Sequence, residues 1–185
     1  MTIGKIVLLS APTNLGLRSP EVSCVPGCSK APEALREAGL YRFFIEMGGI
    51  DGVATIPGRY SDKISAGRIR NEDEILKYSK KIQERITGIS ESGNTPLVIG
   101  GDCSLLLRVG LALKRLGSYG LVHIDGHTDF RHPGNSSKCV SLASEDLAAV
   151  VGLHYPEISN IDGTGDILSR ERLYTVDVEI MTSTF

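Results

Sequence analysis

Several residue types are scarce in this sequence. Tryptophan is absent, aromatic residues make up 5%, and the 185 residues include only four cysteines, which are Cys24, Cys28, Cys103 and Cys139. No second close pair accompanies Cys24 and Cys28, so the pattern of a zinc ribbon is missing. In a reducing compartment we expect all four cysteines to be free thiols.

Long apolar runs and an excess of one charge are also missing. No segment approaches the ~20 apolar residues that span a bilayer, and the first apolar run, residues 6–9, is too short for a signal-peptide core. The net charge is −2, with basic and acidic residues interleaved, so no electrostatic footprint indicates nucleic acid or an anionic membrane. These absences predict a cytoplasmic protein whose partner is a small molecule.

Short apolar runs alternate with helical patterns along the chain, which predicts an α/β fold. A chain of this size can form one domain, residues 1–185, that buries roughly 70% of its unfolded surface. The alternation of a strand, a helix and a strand over residues 95–125 predicts a parallel crossover unit. Strands are predicted at residues 5–11, 52–56 and 173–180 and within the apolar runs 95–104 and 121–130, and helices at residues 32–39, 40–47, 71–93, 104–116 and 144–151.

The run of residues 121–130 ends in Asp-x-His-x-Asp, formed by Asp125, His127 and Asp129. Residues two apart on a strand share a face, yet a fully extended segment would separate the outer two by roughly 13 Å. Either the strand curls, which Gly126 permits, or two ions bind. Carboxylates with imidazole suit Mn²⁺, Zn²⁺ or Fe²⁺ rather than Ca²⁺. The alternative is a strand end whose polar residues cap the next helix or face solvent.

A second apolar run, residues 95–104, ends in Gly-Gly-Asp-Cys-Ser and offers Asp102 and Cys103 as further ligands. Ligands of open parallel sheets bind beyond the carboxyl ends of the strands, and both motifs lie at such ends. We therefore expect the two ends to meet around divalent cations. A nucleotide site is disfavoured because Gly100 and Gly101 lack the spacing of a pyrophosphate-binding turn.

Together the two motifs resemble those of the ureohydrolase family, which contains arginase, agmatinase and formimidoylglutamase. Residues 100–104 resemble the family's Gly-Gly-Asp-His-Ser, with Cys103 at the histidine position, and residues 125–129 resemble its Asp-Ala-His-x-Asp, with Gly126 for alanine. Residues 27–40 look like the family's first helix. The resemblance implies a three-layer α/β/α fold with a mostly parallel sheet, and a dinuclear Mn²⁺ centre.

The resemblance also implies roles for individual residues. Asp125 would bridge both ions, Asp129 and Cys103 would complete one of them, and His127 would bind the other. The implied activity is hydrolysis of a C–N bond in a linear amidine or guanidine, with Asp125 and His127 at the catalytic centre. Because a thiolate is a softer ligand than imidazole, Cys103 shifts the expected metal toward Zn²⁺ or Fe²⁺.

Two stretches depart from the family pattern. Residues 141–146 stand where arginases carry a proton-shuttling histidine, and Glu145 or His154 could serve instead, unless they are a helix-start carboxylate and a surface histidine. The family's later Asp-x-Asp strand is only imitated by residues 175–179, so we expect the C-terminal part of the fold to be missing and a sheet edge to be left unpaired. Either a partner chain covers that edge or the fold is marginal, and we expect a homo-oligomer. The alternative function is a catalytically inactive, truncated protein of this fold or an interaction module.

Overall fold

The computed structural model describes residues 4–64, 68–163 and 165–177. Within these ranges the strands are β1 (Ile6–Ala11), β2 (Ile50–Asp51), β3 (Thr95–Gly100), β4 (Leu121–Asp125) and β5 (Leu173–Asp177). The α-helices are α1 (Ala31–Glu37), α2 (Leu40–Glu46), α3 (Glu72–Glu91), α4 (Leu105–Leu116), α5 (Asp146–Val150) and α6 (Pro156–Ser159). Single 3₁₀ turns occur at Gly27–Lys30, Leu142–Ser144, Ile161–Gly163 and Arg170–Arg172.

All strand pairs among the described residues are parallel, which confirms the predicted α/β class. They form one sheet in the order β2-β1-β3, with Leu8 opposite Leu97, and a second sheet of β4 and β5, with Leu121 opposite Leu173. The prediction that β3 and β4 are neighbouring strands of one crossover unit is wrong for these residues. After helix α4, β4 pairs with β5 and not with β3, because strand pairing depends on contacts between distant segments rather than on the local pattern.

Helix α3 forms because apolar residues recur every three or four positions. Ile75, Tyr78, Ile82 and Ile86 are all buried on the face that packs against α4. Asn71 precedes the helix as predicted but does not cap it, since its side chain accepts from the backbone N–H of Ser61 and donates to a loop carbonyl. Across the described part of the chain, no helix combines the length and the apolar character needed to cross a bilayer.

One predicted strand is not formed, and the last predicted strand lies partly outside the described residues. The strand predicted at residues 52–56 is not formed, because Val53 adopts a left-handed backbone with φ 66° and the regular ladder ends at Asp51. The chain nevertheless stays beside β1, where the N–H of Gly52 donates to the carbonyl of Leu8 over 2.7 Å. The last predicted strand is present as β5, and its residues 178–180 lie outside the described part.

The sheet of β4 and β5 is covered on one face only. Val122 and Ile124 of β4 are 65% and 67% exposed, and Tyr174 and Val176, their partners in β5, are 65% and 51% exposed. The alternate residues of β4 face inward and are half-buried, including Asp125 at its carboxyl end. Sheet alternation therefore directs the carboxylate toward the protein and leaves an apolar surface on the other side.

Candidate metal centre

The chain bends sharply after β4, and this bend brings the ends of the Asp-x-His-x-Asp motif together. The N–H of His127 donates to Oδ1 of Asp125 over 2.9 Å, which closes a turn over Gly126. Asp129 then adopts a left-handed backbone with φ 43°, a conformation that aspartate tolerates better than most residues. Of the two alternatives that the motif's spacing left open, the structure shows the curled strand.

The Gly-Gly-Asp-Cys end of β3 reaches the same place through a close backbone approach. A Cβ atom on Gly101 would lie 1.8 Å from the carbonyl oxygen of Thr13, so only glycine fits beside this segment. Asp102 then turns the chain, since its Oδ1 accepts the N–H of Ser104 over 2.9 Å. Cys103 lies between these anchored residues, at the start of α4.

Three potential metal ligands converge where the two strand ends meet. One ligand atom each from Cys103, Asp125 and Asp129 lies within 4.8 Å of the other two. Ligands at 2.0–2.3 Å from a common ion are separated by roughly 3 to 4 Å, so a small inward movement of these side chains encloses a cation. A thiolate with two carboxylates suits Zn²⁺ or Fe²⁺, and the carboxylates also suit Mn²⁺.

The other candidate ligands lie around this cluster. The side chain of His127 is 85% exposed at the rim, where its Nδ1 is 3.6 Å from Oδ1 of Asp125. Asp102 is 4% exposed and lies outside the three-ligand group, with Oδ2 buried and without a hydrogen-bond partner among the described residues. His123 is deeper in β4, with Nε2 at 4.0 Å from Oδ2 of Asp125.

Electrostatic conditions at the cluster favour protonated ligands until a cation arrives. Burial of the thiol and the negative charge of Asp146 raise the pKa of Cys103 to about 12, although part of the residue is exposed. Burial and the charge of Asp125 also raise the pKa of Asp129. A divalent cation reverses both effects, because it stabilises the charged forms and displaces the protons. The donor set and its surplus of negative charge therefore fit a divalent metal ion.

A cleft of about 570 Å³ opens above the cluster, within the range of small-molecule sites. Its lining includes all four predicted ligands, together with Arg18 and Arg131. The cleft thus offers carboxylates near the cluster and two guanidinium groups at other points of its wall. An arrangement of this kind can hold a small substrate with groups of both charges.

Sequence reasoning missed a buried pair beside the cleft. The side chains of Glu145 and His154 are both fully buried, and His154 Nε2 lies 2.9 Å from Oε2 of Glu145. The other oxygen, Oε1, accepts the backbone N–H groups of Val140 and Ser141 over 2.8 and 3.0 Å. The interpretation of His154 as a surface histidine is therefore wrong. Glu145 does lie at the start of a helix, at the N-cap of α5, but its side chain binds the backbone of residues 140–141 instead of capping the helix. The pair spans a helix, so no local pattern indicates it.

The sequence and the fold both match known proteins. The model of the arginase family matches residues 4–150. The arginase of Brevibacillus brevis is 28% identical over 144 residues, which are 74% of this chain and 47% of that protein. The arginase of Bacillus caldovelox is 24% identical over 158 residues, 82% of this chain and 52% of that protein. The chain spans about half the length of the curated relatives it matches.

Solved structures show the same relationship at the level of the fold. The native arginase of Bacillus caldovelox at pH 5.6 superposes with a TM-score of 0.79 at 21% identity, over 93% of this chain and 57% of that one. Formimidoylglutamase of Bacillus subtilis gives 0.54 at 17% identity, over 98% of this chain and 50% of that one. The predicted three-layer α/β/α fold with a mostly parallel sheet, incomplete relative to these structures, is confirmed.

Proposed function

The chain belongs to the arginase family, and from this premise we propose that it forms the metal-binding part of a hydrolase that cleaves a C–N bond in linear amidines or guanidines. The single observation that carries this proposal is the convergence of Cys103, Asp125 and Asp129 within 4.8 Å. Both relatives at the level of sequence are named arginases. We propose that the substrate of this chain is a small guanidino or amidino compound.

The proposed centre holds two divalent cations, as the family resemblance implies. Cys103 and Asp129 would hold one cation, His127 the other, and Asp125 both. When bound, the cations supply Lewis acidity and a water whose pKa is low enough to give a nucleophile near neutral pH. We propose Mn²⁺ by family resemblance, with Zn²⁺ or Fe²⁺ favoured by the thiolate of Cys103.

The residues of the chain would position a substrate that is itself a cation. Asp125 is half-buried at the floor of the cleft with its Oδ1 held by the N–H of His127, so the metal ligands are fixed at the end of the cleft that the guanidinium group would enter. The guanidinium groups of Arg18 and Arg131, which line the same cleft, suit a carboxylate on the substrate's far end. Held this way, the amidine carbon faces the metal ligands, and that orientation supplies much of the rate.

The test is metal analysis combined with product release. After reconstitution with Mn²⁺ or Zn²⁺, the chain should retain metal and release urea or formamide from members of a panel of guanidino and amidino compounds. Asp125→Asn should abolish both. Asp162→Asn is the matched control, because Asp162 is exposed and forms a surface ion pair with Arg115 at 3.3 Å. Absence of bound metal after both reconstitutions would contradict the proposal.

The second candidate is a catalytically inactive member of the family that acts as an interaction module. The observation that favours it is the exposed apolar face of β4 and β5, formed by Val122, Ile124, Tyr174 and Val176, which is typical of a surface that contacts protein. We propose that a second copy covers this face in a cytoplasmic homo-oligomer. Turnover that disappears in Asp125→Asn would rule out the inactive alternative whatever the oligomeric state.

A further inference from the structure

Arg18 lines the cleft above the three-ligand cluster, on the loop that follows β1. Its side chain is exposed, and its guanidinium forms no hydrogen bond or ion pair with any described residue. The second arginine of the cleft differs, because Arg131 lies two residues after Asp129 and its charge acts on that carboxylate. Arg18 therefore remains available to an anion that enters the cleft.

Two side chains hold the peptide groups on either side of Arg18. The hydroxyl of Tyr60 lies 3.1 Å from the carbonyl oxygen of Leu17 and 2.8 Å from Oδ1 of Asp62, so its single proton is shared between these acceptors. The same Oδ1 accepts the N–H of Ser19 over 3.3 Å. These bonds fix the residues directly before and after Arg18, and we call Tyr60 and Asp62 the clamp.

The clamp is itself attached to buried residues. Arg70 donates to Oδ1 of Asp62 over 2.7 Å and to the backbone carbonyl of the same residue over 3.1 Å. Between the two clamp residues, the N–H of Ser61 donates to Oδ1 of Asn71 over 2.9 Å. The amide nitrogen of Asn71 donates in turn to the carbonyl of Leu15 over 3.0 Å. Because Arg70 and Asn71 are both buried, the clamp is anchored in the interior of the protein.

The loop that carries Arg18 is also fixed on the side of the metal motif. A Cβ atom on Gly16 would lie 2.4 Å from Oδ1 of Asp102, the residue before Cys103, so only glycine lets the loop approach this closely. The carbonyl oxygen of Gly16 accepts the N–H of Ala143, which also lines the cleft, over 3.1 Å. Arg18 thus lies two residues from a fixed contact with the ligand-bearing segment.

Holding the loop makes an exposed arginine more effective as a binding group. An arginine on a loose loop gains little from an ion pair, because the ordering of the loop opposes binding. With both flanking peptide groups held, this ordering takes place on folding and not on binding. Burial and the hydrogen bond to Asp62 raise the pKa of Tyr60 to about 12, so the hydroxyl keeps its proton and remains a donor at neutral pH.

We propose that Tyr60 and Asp62 are positioning residues, which present Arg18 to a carboxylate at the far end of the guanidino or amidino substrate. The inference rests on the proposed function, because it takes the cleft as the substrate site. Neither clamp residue lines the cleft. Selection between substrates with and without a carboxylate would therefore depend on two side chains that do not touch the substrate.

The test measures binding of two probes to the Zn²⁺-loaded chain by calorimetric titration. The probes are 4-guanidinobutanoate and butylguanidine, which share a guanidinium group and differ in the carboxylate. The wild type should bind 4-guanidinobutanoate at least about tenfold more tightly, because its pair with Arg18 is charge-assisted. Arg18→Gln should lose this preference. The control is Arg42→Gln, which should keep the preference because Arg42 is exposed on α2 and does not line the cleft.

The clamp variants give the decisive comparison. Tyr60→Phe removes only the hydroxyl and should reduce the preference about two- to tenfold, the usual worth of one hydrogen bond, with the affinity for butylguanidine unchanged. Asp62 has a left-handed backbone with φ 54°, so Asp62→Gly removes the carboxylate without backbone strain and should reduce the preference further. Asp62→Asn retains an acceptor oxygen and should restore part of the preference.

A purely structural role for the clamp predicts a different result. Tyr60→Phe and Asp62→Gly would then weaken the binding of both probes equally, or lower the urea midpoint with the preference unchanged, and either result would overturn the inference while the cleft stands as the substrate site. Equal affinity of the wild type for the two probes, or binding of neither by a chain that retains Zn²⁺, would overturn it as well. If the chain retains no metal, the proposed function fails too. Should Asp62→Gly not fold, Tyr60→Phe decides the question.

Discussion

Metal binding by this chain should release a proton that can be traced to a single residue. The pKa of Cys103 is raised to about 12 by burial and by neighbouring carboxylates. At pH 7 the thiol is protonated in the metal-free chain. A thiol must lose its proton to bind a metal.

The magnitude follows from this proton. Each proton displaced makes the association constant rise tenfold per pH unit, as long as the pH stays below the pKa of the metal-free group. Between pH 7 and 8 we expect a rise of about tenfold for the wild type, from the thiol proton of Cys103. The slope does not depend on the exact size of the pKa shift, because the raised pKa of Cys103 lies above this range.

Substitution tests this contribution. Cys103→Ser removes the thiol proton, so its association constant should depend much less on pH over this range than that of the wild type, and Asp162→Asn should keep the wild-type slope. The assay is calorimetric titration of Zn²⁺ in buffers of different ionisation enthalpy, which counts released protons directly. A wild-type affinity that is independent of pH, or an unchanged slope in Cys103→Ser, would refute the assignment of Cys103 as a ligand.

Three further predictions concern stability. Gly101→Ala should lower the free energy of unfolding by more than about 2 kcal/mol in urea denaturation, because its Cβ would overlap the carbonyl of Thr13; a smaller loss would show that the two segments can separate. His154→Ala should lower the free energy of unfolding by about 3 to 5 kcal/mol, because Oε2 of Glu145 would stay buried without its partner, and an unchanged urea midpoint would contradict this. The raised pKa of Asp146 means that its protonated form favours the folded metal-free chain below about pH 4, and that this contribution is lost as the pH rises to about 9. The urea midpoint should therefore fall over this interval, and Asp146→Asn should flatten the fall.

The regular elements were predictable where one face of the chain is buried. The stripe of Ile75, Tyr78, Ile82 and Ile86 identifies α3, because apolar residues that recur with a helical period over about three turns are typical of an amphipathic helix. The strand predicted at residues 52–56 was misplaced because Val53 leaves the sheet in a left-handed conformation. Valine rarely adopts this conformation, so the sequence did not indicate it.

Which strands pair was harder to predict from the sequence than where the strands lie. β3 and β4 have the pattern of a crossover unit, yet each pairs elsewhere, and strand order depends on contacts between distant segments rather than on local pattern. The convergence of Cys103 with Asp125 and Asp129 could still be anticipated, since both motifs follow the carboxyl ends of parallel strands.

Buried charges were the part of the site that the sequence did not indicate. Asp146 has the pattern of an ordinary first-turn carboxylate, and nothing local distinguishes it from an exposed one. Its burial follows from the packing of α5 against α4 and against the turn at Asp129. His154 was misassigned for the same reason, because its partner Glu145 becomes its neighbour only once α5 has formed.

X-ray absorption at the zinc edge tests the central claim most directly, because it identifies the atoms bound to the metal. Zn²⁺ bound to the wild-type chain should show one sulfur neighbour at about 2.3 Å, with oxygen or nitrogen as the remaining ligands. In Cys103→Ser the sulfur shell should vanish. A wild-type spectrum with no sulfur neighbour would contradict the account, because the two strand ends would then not share a cation.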